Sequence, residues 1–236
     1  MMNIFSLVNC EIRKVYKSTV FWVVTVAFTL LPGISLIKYS NPALSASWMS
    51  YLSDTLETFV SLLIMGFAFT TCWMFGREYT DKTISDLLVK PVSKLRIAGA
   101  KFIVTFLWNV LLTALMFAVV VLVGAYVGLS GSAAPILHYL GMFMATSLLL
   151  MFVSTVSSFM ANVTRGYLAP IGLIFIIVLL VNIASNTGLD AYIPWTIPGL
   201  LMSEGFLRPI SVLILAVTGI TGLVGTIAWW RFKEQI

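Results

Sequence analysis

The chain has 236 residues, of which 60% are apolar and 10% charged, with 14 Lys and Arg against nine acids. A soluble domain is nearer half apolar, and spans of about 20 residues each would use so much of this length that a separate soluble catalytic domain is excluded. The basic excess is not gathered on any foldable soluble piece, so it reads as a topology signal and not as a nucleic-acid surface.

Residues 1–19 alternate Ile4, Phe5, Leu7, Val8, Ile12 and Val15 with Glu11, Arg13, Lys14 and Lys17 in helical rhythm. An amphipathic helix on the inner leaflet satisfies both sets, and so does a charged extension of the first span. With basic residues before an apolar run, the start has the form of a secretory signal. The later apolar runs favour an uncleaved first helix.

Runs long enough to span lie at about 20–37, 57–75, 102–127, 136–161, 166–184 and 210–230. The expected fold is therefore all-α with six transmembrane helices, residues 20–236 forming one domain behind the 1–19 helix. Twelve Lys and Arg fall on one side of these spans, while only Lys38 and Arg208 fall on the other, which places both termini in the cytoplasm. Pro32 and Gly33 predict a kink in the first span. Ala114, Ala118, Gly124 and Gly128 in the third, and Thr218, Gly222 and Thr226 in the sixth, have the four-residue spacing of close helix packing, within a subunit or between subunits. Ser154, Ser157, Ser158 and Ala161 share a face that ends at Asn162. It offers a hydrophilic path, or hydroxyls bonded back to their own helix. Asn109 and Asn182 are costly to bury in a span, and serve either as interhelical hydrogen bonds or as pathway residues.

The segment 76–101 carries too many charges to insert in a bilayer. Thr83-x-x-Asp86 can form a capping box, Pro91 stops the helix that follows, and Ile84, Leu87 and Leu88 share one face. Arg77, Glu78, Asp81 and Lys82 precede it. A short capped helix over Thr83–Lys90 suits contact with a soluble partner, and it suits a membrane-surface helix as well.

Phe75-Gly76-x-Glu78-Tyr79-x-x-Lys82-Thr83, Leu87-Leu88-x-x-Pro91-Val92-Ser93 and Ala100-Lys101 resemble the segment joining helices two and three of ABC-2 type permeases. Glu11-x-x-Lys14 resembles their N-terminal connecting helix, and Pro194-Trp195-x-x-Pro198 is similar to the short bacitracin and lantibiotic self-protection permeases. The resemblance implies that residues 76–101 form a coupling segment docking on a separate ATPase, which would carry ATP and Mg while this chain binds no cofactor. It implies two permeases, expected as a homodimer, with two ATPases in a bacterial plasma membrane.

Between 185 and 209, prolines and glycines interrupt an apolar stretch that is too broken to span and too greasy for a free loop. Helices dipping into the outer leaflet account for it, as does an interfacial loop. The resemblance implies re-entrant helices acting as an outer gate at Pro194, Trp195 and Pro198. The sequence has no G-x-x-x-x-G-K-[ST] loop and one histidine, His138, without an acidic neighbour. We therefore expect a non-enzymatic exporter subunit for a hydrophobic or amphipathic substrate, the alternative being the membrane subunit of an importer.

Overall fold

The computed structural model describes residues 3–39, 47–85, 92–184 and 189–232, except for the side chains of 182–184. No strand occurs among them. The helices are α1 (Ile4–Tyr16), α2 (Thr19–Leu30), α3 (Ile34–Tyr39), α4 (Trp48–Thr80), α5 (Lys94–Val127), α6 (Pro135–Val153), α7 (Thr155–Val163), α8 (Leu168–Ala184), α9 (Ile197–Ser203) and α10 (Pro209–Phe232).

Helices α2 and α3 form one stretch interrupted by a 3-10 turn at Leu31–Gly33, where Pro32 has no N–H for the ladder. Ser35 answers the break by donating its hydroxyl to Pro32 O at 2.6 Å. Among the described residues, five stretches are long and apolar enough to cross a membrane: Thr19–Tyr39, Trp48–Thr80, Lys94–Val127, Pro135–Val163 and Pro209–Phe232. The remaining run of the sequence is α8, with 17 residues.

Helix α4 is the axis of the bundle. It packs against α5 to α9 and buries Leu52, Leu56, Leu63 and Phe67 completely. Opposite faces of α2, α5 and α10 expose Val23, Leu122 and Val217, as apolar side chains facing lipid do.

The tightest pairing is α10 with α7. A Cβ at Gly222 would lie 2.4 Å from the Val156 nitrogen, so only glycine allows this approach. The hydroxyls of Ser158 and Thr226 meet at 2.8 Å, and Thr155 donates to Gly219 O at 2.9 Å. Two residues of the sixth-span pattern, Gly222 and Thr226, thus pack within the subunit. Ala114 and Ala118 of the third span instead face outward, and Gly128 ends α5 in the left-handed conformation, with φ of 73°. Replacing Gly222 with Ala should destabilise the protein by about 1–3 kcal/mol through overpacking. Gly172→Ala on α8, where a Cβ meets nothing within 4 Å, should leave thermal unfolding in detergent unchanged.

Candidate functional site

Five ionised side chains from three helices converge at one end of the bundle. Helix α1 turns Leu7, Val8, Glu11, Lys14 and Val15 toward the protein at the spacing of one helical face, and it lies along α5. The apolar set of that face seats the helix. It also carries Glu11, only 4% exposed, into contact with the ends of α4 and α5.

There Glu11 accepts from Lys14 at 2.6 Å and from Arg77 at 3.1 Å, and lies 3.7 Å from Lys101 Nζ. Glu78 is 3.2 Å from Lys14 and 3.0 Å from Lys101. The second of these is a charge contact without hydrogen-bond alignment; the fully buried Lys101 ammonium donates to Met74 O at 2.9 Å. Arg77 also stacks on Trp73, 4.5 Å from the ring centroid. Two carboxylates thus sit among three cations, an arrangement in which each acid has more than one partner. Burial pushes the Glu11 carboxyl up, but Lys101, Lys14 and Arg77 together outweigh it and hold it below its ordinary value. For Lys14, burial pulls the ammonium down, and Glu11 and Glu78 more than restore it, so it lies above its ordinary value.

Beside this clasp, α4 ends in a Schellman turn: Thr83 N–H donates to Glu78 O at 2.9 Å and Lys82 N–H to Tyr79 O at 3.2 Å. Lys82 takes the left-handed position usually given to glycine, with φ of 55°. Helix α7 ends in the same way at Arg165, and a Cβ at Gly76 would lie 2.6 Å from Tyr167 N, so the two helix ends pack backbone to backbone. Asn162 joins a third element. Its Oδ1 accepts from Trp230 Nε1 at 2.8 Å and Tyr79 OH at 3.3 Å, and its amide donates to Ser158 O at 2.6 Å.

Arg77 and Glu78 are therefore turned into the protein, whereas Asp81, Lys82 and Thr83 are exposed. Ile84 packs with Val92 against Ile97, Ala98 and Trp230. Asp86, Leu87, Leu88 and Pro91 lie outside the described residues, as does the Asn182 side chain. Asn109 is buried and accepts from Thr70 at 2.7 Å, an interhelical bond. Ser154 and Ser158 each donate to a carbonyl three residues back, as self-bonded hydroxyls do, while Asn162 turns its face into a junction. In the connection between α8 and α10, Pro198 is buried and Pro194 and Trp195 half-buried; Trp195 packs with Ile197, Val153 and Leu215.

Sequence reasoning left out Trp230 and met Lys101 only as the end of the coupling segment and Asn162 only as the end of the serine face. For Lys101 a signal existed: Ile97, Ala98, Val104 and Thr105, its neighbours one turn away, include no charge, so its face of α5 had no route to water.

A bundle of apolar helices long enough to cross a bilayer defines a multi-pass membrane protein. Residues 7–182 match the family model described as ABC-2 family transporter protein, and the chain belongs to that family. It is also similar to the bacitracin transport permease protein BCRB of Bacillus licheniformis, with 25% identity over 203 residues, covering 82% of this chain and 96% of the relative.

Removing an acid leaves three cations facing one carboxylate, so Glu11→Gln should cost about 3–5 kcal/mol. Lys14→Met, at a half-exposed rim position, should cost under about 1 kcal/mol. Thermal unfolding of the two variants in detergent checks this order. The depressed Glu11 carboxyl contributes stability that is complete above its unfolded pKa and lost as pH falls through the folded one; the raised Lys14 contribution is complete below its unfolded pKa and lost as pH rises through the folded one. Hydrogen-exchange protection of α1 should accordingly hold across the neutral range, and fall below about pH 4 and above about pH 10.

Proposed function

We propose that the chain is the permease subunit of an ATP-driven exporter, working with a separate ATPase that binds ATP and Mg. The observation carrying this reading is the ionic clasp: it ties α1 to the ends of the two helices that flank residues 81–93, so displacement of that segment by a partner pulls on α4, α5 and α1 together. Residues Thr83 to Lys90 then form the coupling helix. Arg77 and Glu78 transmit its motion from inside the protein, while Asp81, Lys82 and Thr83 lie on the exposed approach. ATP binding would shift the population of bundle conformations toward outward release.

In this reading α8 is a sixth span. Its 17 residues extend about 25 Å, close to the hydrocarbon thickness. The charge asymmetry of the connections supports a cytoplasmic position for both termini and the clasp, and the 185–209 segment acts as an outer gate. Two copies assemble with two ATPases in a bacterial plasma membrane. The substrate is hydrophobic or amphipathic, a class that includes peptide antibiotics such as the one named for the Bacillus licheniformis relative.

Two measurements test this. Cys10 is exposed on α1 and Cys72 is buried, so a membrane-impermeant maleimide should label the protein in inside-out vesicles and not in intact cells. Labelling from outside the cell overturns the orientation. Leu87→Ala with Leu88→Ala should abolish co-purification with the cognate ATPase while leaving the permease folded. Unchanged assembly and ATP turnover would remove the coupling role.

A further inference from the structure

A cavity of about 340 Å³ lies between α4, α5, α6, α7 and α10, at the level where α6 gives way to α7. Its polar lining is Thr71, Thr105, Asn109, Ser154 and Thr155, all at least nine-tenths buried, and no charged side chain lines it. All four of these hydroxyls already donate to carbonyls: Thr71 to Phe67 O, Thr105 to Lys101 O, Ser154 to Met151 O and Thr155 to Gly219 O. Their oxygens retain lone pairs to accept. Asn109 uses its side-chain oxygen for Thr70 and makes no hydrogen bond with its amide nitrogen among the described residues, which leaves a donor for the cavity.

The mouth identifies the phase from which a ligand comes. Phe106 and Leu148, 46% and 47% exposed, stand at its edge on the outward apolar faces of α5 and α6. This entrance opens sideways, toward lipid. A pocket at the small end of the usual size range, with apolar walls and a few uncharged hydrogen-bonding groups, suits an apolar chain bearing a neutral hydroxyl or amide. A charged headgroup has no counter-ion there to offset its desolvation.

We infer that this cavity binds the hydroxyl- or amide-bearing portion of a membrane-dissolved amphiphile, which enters between α5 and α6 directly from the bilayer. The cavity also adjoins the clasp. Phe102, in its wall, follows Lys101 in sequence and stacks on Phe75 at 4.7 Å between ring centroids. Thr105 and Asn109 lie only one and two turns beyond Lys101, so an occupant bears on the helix that carries the buried lysine. That the occupant is the transported molecule rests on the exporter reading above; that the cavity binds it does not.

The test uses the full chain in lipid nanodiscs without ATPase, so its failure is separate from failure of coupling. The probe is hexadecanol carrying a photoactivatable diazirine, with adduct positions read by mass spectrometry. Adducts should concentrate at Phe106, Leu148 and Leu223 and be competed by unlabelled hexadecanol more strongly than by hexadecane or hexadecyl sulfate. Leu148→Trp, a substitution at an exposed position, should abolish the Phe106 and Leu223 adducts. Thr105→Val should remove the advantage of hexadecanol over hexadecane. Adducts spread evenly over outward positions such as Leu122 and Leu179, equal competition by the sulfate, or absence of cavity adducts because a neighbouring chain fills the mouth would each overturn the assignment.

Discussion

A charge removed from water must find its counter-charge inside the protein, and at the clasp end of this bundle that requirement decides where three helices go. Lys101 has no exposure at all. Glu78 and Glu11 come to its ammonium, one from α4 and one from α1, while Met74 O accepts a hydrogen bond from it. The apolar side chains Leu7, Val8 and Val15 seat α1, but they would tolerate sliding or rotation. The ionic contacts specify one register, because a slip of one residue would replace Glu11 with Cys10 or Ile12.

The same end is consolidated by uncharged means. Gly76 and Gly166 bring α4 into backbone contact with the turn after α7, and Asn162 collects donors from α4 and α10. Beyond it, Gly222 and the Ser158–Thr226 pair lock α7 to α10. In a membrane, where lipid competes for apolar surface as well as protein does, close backbone approach and interhelical hydrogen bonds are the forces left to hold helices together. The clasp is thus one layer of a rigid end, and the hydroxyl-floored cavity begins just above it.

Much of this fold was legible because hydropathy and charge act over long windows. The 3-10 break at Pro32 followed from a missing N–H, and the five long apolar stretches among the described residues follow the runs read from sequence. What the sequence concealed was which face of α1 is inside. Glu11 reads as one of the polar set with Arg13, Lys14 and Lys17, although helical spacing puts it on the face of Leu7, Val8 and Val15, and the arrival of Arg77 and Lys101 supplies its counter-charges there. Arg77 and Glu78 were misleading for the same reason: a charged stretch at a helix end looks solvated unless its partners, distant in sequence, are known. For the serine face, local self-bonding was foreseeable, but the meeting of Asn162 with Trp230 depends on the packing of α7 with α10.

Helix α4 also serves as a ruler. It runs for 33 residues, about 50 Å, well beyond any hydrocarbon core. Between Glu57 and Arg77, however, it carries no Asp, Glu, Lys, Arg or His, and these two residues are twenty positions apart, about 30 Å along the axis. The charge-free interval therefore equals one bilayer thickness and sets the two waterlines of the molecule. One passes near Glu57, leaving the first turns of α4, with Asp54, standing clear of the membrane. The other passes through the clasp, so its ions lie where hydrocarbon gives way to headgroups, sheltered from water by the protein around them.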